Sequence, residues 1–530
     1  MNTSTRRAMA LAAALLMGGA AACTDITAPP KSTVTGANIF NDPNSYRAFL
    51  AKLYGGLAVT GQQGPAGRPD IQGIDEGFSQ YVRLYWQMQE LPTDEAVIAW
   101  NDAGVQELNT QIWSPSNQFL VSMYYRIYFQ VAMANEFLRE TTDDKLTQRS
   151  TSATLRADIQ QYRAEARFLR ALSYWHGIDL FGNIPLVRED LALNSPPPAQ
   201  ATRAEVYNFI VAELTEVRAQ LPAPAATQYG RASRAAADML LAKVYLNAGV
   251  YTGTPRWAEA RAAAEAVIAG GFSLDDDYLD MFLADNHSSP ELVFAVPQDG
   301  QNTRSYGGTT FLAHASVGGN MNQANYGLNG GWWGLRARPE LVGLFPGGAA
   351  SADERASSVF FTNGQTVAIT DLLNFQQGVA APKYQNVTQS GTPGSDLEFV
   401  DTDYPMFRLA DAYLIYAEAV LRGGGGTRGQ ALAYVNALRQ RAYGDASGNI
   451  TDAQLTLDFI LAERARELYW EGHRRQDLIR FDRFTDNGIW TFKGGVQAGR
   501  LTESFRDLYP LPASELTANP NLDQNPGYPE

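Results

Sequence analysis

Residues that build metal and disulfide sites are scarce in this sequence. Its 530 residues include one cysteine and four histidines, which excludes a disulfide framework and any multi-cysteine zinc or iron–sulfur site. The histidines (His176, His287, His314 and His473) form no HExxH motif and no paired spacing typical of metal ligands. We therefore expect the protein to hold no metal ion and no cofactor.

Positive charge is scarce too. Lysine and arginine number 42 against 56 aspartate and glutamate residues, and the formal net charge is −14. A chain with this balance is poorly suited to bind a polyanion, so we expect no nucleic-acid partner. Hydrophobic residues make up 45% of the chain and charged residues 18%, as in a folded protein, and the length suffices for about three domains of ordinary size.

Apolar runs long enough to cross a bilayer as a helix are also missing. The run at residues 8–20 follows Arg6 and Arg7, and at thirteen residues it is shorter than the roughly 20 that a spanning helix needs. The basic start, the short apolar core and the small residues Ala21 and Ala22 predict a secretory signal peptide over residues 1–22.

The single cysteine stands directly after these small residues, in a pattern that resembles a bacterial lipobox, although Ala20 replaces the usual leucine. We expect Cys23 to become a lipidated amino terminus with several acyl chains, because one chain alone anchors a protein only marginally. Residues 23–40 then form the lipidated cysteine and a flexible tether, rich in proline and threonine. The alternative is an ordinary signal peptide with an incidental cysteine.

Most of the remaining chain has the apolar spacing of paired helices. The predicted helices are 156–181, a helix from a cap at Thr202 to Leu221, a hairpin of 232–248 with 256–269, and a hairpin of 405–422 with 428–442. The hairpin length of about 34–38 residues and small residues such as Ala264 and Ala431 resemble tetratricopeptide repeats. We predict a predominantly all-α fold, a tetratricopeptide-like helical hairpin scaffold with long irregular ligand-binding loops. Generic helical hairpins are the alternative.

The aromatic residues of the long irregular segments 60–118 and 296–402 are candidates for ligand contact. Rings on loops can act as flat apolar platforms for a ligand, with neighbouring amides and carboxylates for its polar groups. The glycines before Trp332 allow it and the next tryptophan to point apart, one inward and one outward. The alternative is that these rings are core or contact a partner protein. The predicted ligand-binding residues are Trp100, Asn101, Asp102, Tyr306, Tyr326, Trp332 and Trp333.

Adjacent carboxylates raise an enzymatic alternative. Asp94/Glu95, Asp275–Asp277 and Asp401/Asp403 could act as the acid–base pair of a glycosidase, and the second group could hold calcium. That group lacks the glycine and the distal glutamate of an EF-hand loop. Such runs are more often solvated faces or helix caps, and the chain has no GxSxG motif. We expect no catalytic residue.

Four stretches carry a family resemblance. They are EARFLRALSYW (165–175) continuing to LFGNIPL (180–186), RLADAYLIYAEA (408–419), AERARELYWEGHRRQDL (462–478), and LPASEL (511–516) continuing to NPNLDQNPGY (519–528). Together, in this order and after a lipidation signal, they resemble the SusD/RagB family of nutrient-uptake lipoproteins over nearly all of the mature chain. On this basis residues 41–290 are the SusD-like N-terminal part with helical repeats, and 291–530 are the C-terminal part with long loops and helical repeats.

The resemblance implies a function that the spacing alone does not show. It implies a surface-exposed lipoprotein of the outer membrane that captures glycans and delivers them to a SusC-like, TonB-dependent outer-membrane barrel, and that is not an enzyme. Some members of the family capture peptides, which is the first alternative. A lipid-anchored glycoside hydrolase and a scaffold that binds only protein are the further alternatives.

Overall fold

Helices provide most of the regular structure in residues 39–192 and 195–529, which this computed structural model describes. Residues Tyr46–Glu530 form one unit. The predicted signal peptide, Cys23 and nearly all of the predicted tether lie outside the described residues. The α-helices are α1 (Asn44–Ala58), α2 (Tyr81–Glu90), α3 (Val105–Thr110), α4 (Gln118–Glu140), α5 (Asp143–Gln148), α6 (Ala153–Phe181), α7 (Arg203–Val217), α8 (Arg234–Leu246), α9 (Ala248–Thr252), α10 (Trp257–Ile268), α11 (Gly308–Ala315), α12 (Pro339–Gly343), α13 (Glu354–Ser357), α14 (Leu409–Leu421), α15 (Arg428–Tyr443), α16 (Leu457–Leu468), α17 (Arg474–Arg480) and α18 (Ala513–Ala518).

The strands are short and pair in antiparallel twos. The pairs are β1 (Gly61–Gln63) with β2 (Arg68–Pro69), β3 (Ala96–Ile98) with β7 (Leu335–Ala337), β4 (Ile184–Pro185) with β5 (Gln200–Ala201), and β6 (Leu292–Val296) with β8 (Tyr404–Arg408). Two of these ladders, β3 with β7 and β6 with β8, join segments that are more than 100 residues apart along the chain.

The long helices stack in chain order, so each buries the apolar face of the one before it. Helix α4 packs on α6, α6 on α7, α7 on α8, α8 on α10, α10 on α14, and α14 on α15. The small residues that the sequence places at these contacts, Ala264 and Ala431 among them, are fully buried. Three glycines of the turn between α14 and α15 have left-handed φ angles of +77° to +90°, which favour glycine. The predicted tetratricopeptide-like hairpin scaffold is confirmed.

Capping residues explain where the helices start. Thr202 accepts a hydrogen bond from the backbone of Glu205, whose side chain bonds back to Thr202, so α7 begins with a complete capping box. Ser152 caps α6 in the same way through the backbone N–H of Leu155. The predicted starts are close to those observed, but α7 ends at Val217, four residues before its predicted end.

Two predictions about local structure are wrong. Residues 404–408 form strand β8 and not the start of a helix, because they pair with β6, and helix α14 begins at Leu409. The segment 60–118 is not wholly irregular, since it contains α2, every residue of which is buried. Trp86 in α2 and Trp113 beyond it are both buried and belong to the core.

The charged residues of the stretch 462–478 connect distant elements by buried ion pairs. Arg408 of β8 contacts Glu467 through Nη1 at 2.7 Å and Glu471 through Nε at 2.6 Å. Lys383 contacts Glu471 at 2.7 Å. Removing one partner of such a buried network costs about 3–5 kcal/mol, because it leaves the other charge buried and unpaired. In the described part of the chain, no helix is both long and apolar enough to span a membrane.

Candidate functional site

The ladder of β3 and β7 brings the two predicted aromatic stretches together. Ala96 pairs with Ala337 and Ile98 with Leu335, and the backbone N–H of Ala99 extends the ladder by donating to Gly334 at 2.9 Å. Because the strands are antiparallel, the end of β3 lies beside the start of β7. The residues just beyond these strand ends therefore become neighbours, although about 230 residues separate them in sequence.

Trp100 is held at this end of the ladder. Its ring centroid lies 6.3 Å from that of Trp332, and its Nε1 donates to the carbonyl oxygen of Trp332 at 2.8 Å. The rings of Trp100 and Phe311, the latter on α11, pack edge to face with a centroid distance of 5.7 Å. A Cβ atom on Gly334 would lie 2.8 Å from the Trp100 ring, so this approach requires glycine.

Trp332 lies between two further rings. It stacks on His314 with a centroid distance of 4.6 Å and an interplanar angle of 19°. The Tyr306 ring lies 6.2 Å from Trp332, and the Tyr306 hydroxyl donates to Glu398 at 3.1 Å. We call Trp100, Tyr306, Phe311 and Trp332 the aromatic cluster.

Trp333 points away from the aromatic cluster and is 51% exposed. Its backbone adopts a left-handed φ of +53°, which is unusual for a bulky residue and turns the chain between the two adjacent rings. The Trp333 ring rests on Gly318, where a Cβ atom would come within 2.8 Å, and lies 5.8 Å from Phe375. The prediction that adjacent tryptophans point apart is confirmed.

The remaining predicted site residues lie at the border of this surface. Asn101 and Asp102 are exposed directly after Trp100. Tyr326 is half-buried and packs on a hydrophobic cluster that includes Leu328, Phe375 and Val400, and this burial raises its pKa.

Arg83, which is not among the predicted site residues, supports the aromatic cluster from helix α2. Its guanidinium lies 4.3 Å from the centroid of Phe311 and 5.6 Å from that of Trp100, within the range of cation–π attraction. Its Nη1 donates to the carbonyl oxygen of Tyr306 at 2.9 Å. Burial lowers the pKa of Arg83 to about 9, while Asp102 acts in the opposite direction. The available signal was an arginine next to the aromatic and apolar residues of the first turns of α2.

From the sequence, His314 is only one of four histidines without paired spacing. The structure places it on α11. Its ring nitrogens face the carbonyl oxygens of Gly330 at 2.6 Å and Glu398 at 2.9 Å. Burial lowers the pKa of His314, while the hydrogen bonds to these two carbonyl oxygens act in the opposite direction. Phe311 and His314 are three residues apart on one helix and so share a face, which is the signal that could have identified them.

The candidate catalytic carboxylates are engaged in structural contacts. Asp94 forms two hydrogen bonds of 2.7 Å with Arg474. Asp401 accepts from the backbone N–H of Gly300 at 2.8 Å, and Asp403 accepts from the backbone N–H of Gln298 at 2.6 Å. Asp94 therefore belongs to an ion pair with Arg474, and Asp401 and Asp403 hold loop backbone in place. Within the residues that the structure describes, no group of three or more potential metal ligands comes together.

The fold and this surface define a class of protein, a stack of helical hairpins that presents aromatic rings from its connecting segments. A family model described as the SusD family matches residues 362–528, and one described as starch-binding and associating with the outer membrane matches residues 80–246. The chain is 34% identical to the starch-binding protein SusD of Bacteroides thetaiotaomicron, with 97% of each chain covered. The chain belongs to the SusD family, as the four sequence stretches indicated.

Other relatives and solved structures extend this comparison. SusD-like protein P2 of Formosa agariphila is 31% identical over 70% of this chain and 74% of its own. A laminarin-binding SusD-like protein superposes with a TM-score of 0.69 at 24% identity, covering 92% of this chain and 99% of its own. Surface glycan-binding protein A of Bacteroides thetaiotaomicron, solved in complex with laminarihexaose, superposes with a TM-score of 0.69 at 21% identity, covering 91% and 98%. These structures share the fold.

Proposed function

We propose that the protein captures glycans at the cell surface, with the partly exposed rings of Trp100, Tyr306, Trp332 and Trp333 as stacking platforms. The observation that carries this proposal is the ladder of β3 and β7, which assembles Trp100 and Trp332 from separate segments. The exposed polar side chains of Asn101 and Asp102 lie beside these rings and can bond to sugar hydroxyls. The starch-binding and laminarihexaose-bound relatives support the same ligand class.

The size of this surface predicts weak, reversible binding. A sugar face of about 60 Å² placed on one ring contributes about 1.5 kcal/mol at 25 cal/mol/Å². Two or three such platforms contribute about 3–4.5 kcal/mol, which corresponds to a Kd near 1 mM before hydrogen bonds are added. Such affinity suits a protein that must release its ligand to a partner.

The proposed partner is a SusC-like, TonB-dependent outer-membrane barrel. A protein that captures a glycan outside the bilayer cannot carry it across, so transport requires a channel. The predicted signal peptide and lipidated Cys23 would place the chain at the outer membrane, where such a barrel lies. The family model described as associating with the outer membrane supports this location.

Titration calorimetry with defined oligosaccharides tests the glycan assignment. Maltoheptaose, laminarihexaose and xylohexaose would be titrated into the wild-type protein and into Trp332→Ala. We expect at least one oligosaccharide to bind, with Trp332→Ala weakening its affinity about tenfold or more, because a central stacking platform is lost. Trp257→Ala is the matched control, since Trp257 lies on α10 and contacts Arg422 outside the cluster.

The outcome separates the alternatives. Equal affinity in Trp332→Ala and wild type would reject the aromatic cluster as the binding surface. Binding of peptides from a casein digest, without binding of any oligosaccharide, would assign the protein to peptide capture. Release of reducing ends from the bound oligosaccharide would establish a glycoside hydrolase.

A further inference from the structure

A cavity lies at the end of the β3–β7 ladder that is opposite to the aromatic cluster. Asp94 precedes β3 and Glu340 follows β7, and both line a cavity of about 500 Å³ together with Arg474, Asn487, Ile489 and Trp490. We call it the Trp490 cavity. The six residues from Asp94 to Trp100 span at most about 20 Å, and the cavity shares no lining residue with the aromatic cluster. It is therefore separate from the surface proposed above.

Two polar atoms of residues that line this cavity lack a protein partner. Trp490 is 2% exposed, and its Nε1 has no hydrogen-bond partner among the described residues. The carboxylate of Glu340 accepts from the backbone N–H and hydroxyl of Thr491 through Oε1, at 2.7 and 2.8 Å. Its Oε2 is buried and unpartnered in the same part of the chain. Buried polar groups are usually hydrogen-bonded, so a ligand hydroxyl that reached these two atoms would supply the bonds that the described residues leave open.

The loop that carries Trp490 is firmly held, so the unpartnered N–H is a fixed feature of the cavity. Thr491 is bonded to Glu340 as described, and its carbonyl oxygen accepts from Arg338, the residue that follows β7. The ammonium of Lys493 lies 4.2 Å from the centroid of the Trp490 ring. These contacts attach residues 490–493 to the ladder and orient the indole.

Four of the five charged residues that line the cavity form two ion pairs, which leaves Glu340 as the carboxylate that a ligand's donor can meet. Asp94 and Arg474 neutralise each other through two hydrogen bonds of 2.7 Å. Asp458 and Arg483, which also line the cavity, are 3.4 Å apart. Glu340 needs a hydrogen-bond donor and Trp490 needs an acceptor, and a hydroxyl supplies both functions in one group.

The remaining walls have the mixed character of a sugar site. Leu344, Leu461 and Leu478 form apolar walls, and the exposed amide of Asn487 and the side chain of Ile489, 56% exposed, stand at the rim. Ligand sites of about 300–1,000 Å³ combine such apolar surfaces with a few polar groups that fix orientation. From these features we infer that the Trp490 cavity is a second binding site for a neutral, hydroxyl-rich ligand of the size of a mono- or disaccharide.

Isoleucine-methyl NMR tests this inference, with the δ1 methyl group of Ile489 as the reporter. D-glucose, D-galactose, D-xylose and maltose would each be titrated into the full folded protein. We expect a saturable shift of the Ile489 signal with at least one probe. Saturable shifts are also expected in Trp100→Ala/Trp332→Ala, so the result does not depend on the aromatic cluster or on the proposed function. If no probe produces a saturable shift, the cavity binds none of these sugars and the inference is overturned.

Two conservative variants assign the binding to the unpartnered atoms. Glu340→Gln keeps an oxygen for Thr491 and replaces Oε2 by a donor, and Trp490→Phe keeps the ring but removes the N–H. Each variant should weaken the sugar affinity, measured from the Ile489 shift, about tenfold. Trp257→Phe is the matched control and should leave it unchanged. If one variant fails to fold, the other variant still tests whether its unpartnered atom binds the sugar. Full retention of affinity in the folded variants would overturn the inference.

Discussion

At the scale of single residues, Trp100 and Trp333 differ in what they contribute to the stability of the fold. Trp333 is half exposed, whereas Trp100 is partly buried, hydrogen-bonded to Trp332 and packed on Phe311. We predict that Trp333→Ala lowers the free energy of unfolding by less than about 1 kcal/mol, as for most surface substitutions. Trp100→Ala should cost about 3 kcal/mol, the lower end for buried tryptophans. Urea denaturation measures both.

The same two variants should differ less in ligand binding, since both rings are proposed platforms. A stability loss for Trp333→Ala as large as that for Trp100→Ala would show that its ring is part of the core. Unchanged glycan affinity in Trp333→Ala, with stability preserved, would remove that ring from the proposed surface.

A buried carboxyl pair at the end of α2 should make stability depend on pH. Burial raises the pKa of Glu90 above its ordinary 4.5, and burial together with the Glu90 charge raises that of Glu95. A raised pKa in the folded state contributes stability that is complete below 4.5 and is lost as the pH rises through the folded value. We predict that Glu90→Gln, which cannot ionise, gains stability relative to wild type as the pH rises from about 5 to about 8.

Melting temperatures of wild type and Glu90→Gln, measured across this pH range, test the prediction. Gln retains an oxygen for the backbone N–H groups of Gly472 and His473, which now donate to Glu90 Oε1 at 2.6 and 3.0 Å. A difference in melting temperature that stays constant with pH would show that Glu90 does not retain its proton in the folded protein.

At the scale of elements, the ladder of β3 and β7 sets the geometry of the aromatic cluster. A Cβ atom on Gly334 would lie 2.8 Å from the Trp100 ring, whereas a Cβ atom on Gly330 would meet nothing within 4 Å. We predict that Gly334→Ala displaces Trp100 and weakens glycan affinity about tenfold, because the rings no longer share one surface. Calorimetry with the oligosaccharide bound by wild type measures the effect.

Gly330→Ala is the control for this prediction, since it adds the same methyl group to the same segment in open space. Its affinity should equal that of wild type. If Gly334→Ala also binds normally, while its melting temperature falls by no more than that of Gly330→Ala, the ladder does not position the binding surface.

At the scale of the whole molecule, the predicted lipid anchor decides where the protein works. Replacing Cys23 by Ser removes the thiol that would carry the lipid, so we predict that Cys23→Ser fractionates as soluble protein. Wild type should remain with the outer membrane, and a pull-down after mild detergent extraction should recover a TonB-dependent barrel. Cys23→Ser that stays membrane-bound in a strain without such a barrel would contradict the anchor. Recovery of wild type alone would contradict the partnership.

Local sequence signals located most of the helical scaffold. Thr202 identifies a helix start because a cap acts within three residues. The strand at Tyr404–Arg408 escaped prediction because its partner, β6, lies more than 100 residues earlier, beyond the reach of any local pattern. The division at residues 290 and 291, the ligand-binding residues and Cys23 stay predictions.

The sequence by itself therefore determined the helical-repeat class, the family and the candidate rings, because helical period, capping and motif order are written in neighbouring residues. Only the tertiary structure decided that Trp100 meets Trp332, that Arg83 supports them from a buried helix, and that Trp332 turns inward while Trp333 faces solvent. The physical reason is that a surface built from side chains of distant segments depends on which strands pair. That pairing is decided by the packing of the whole chain.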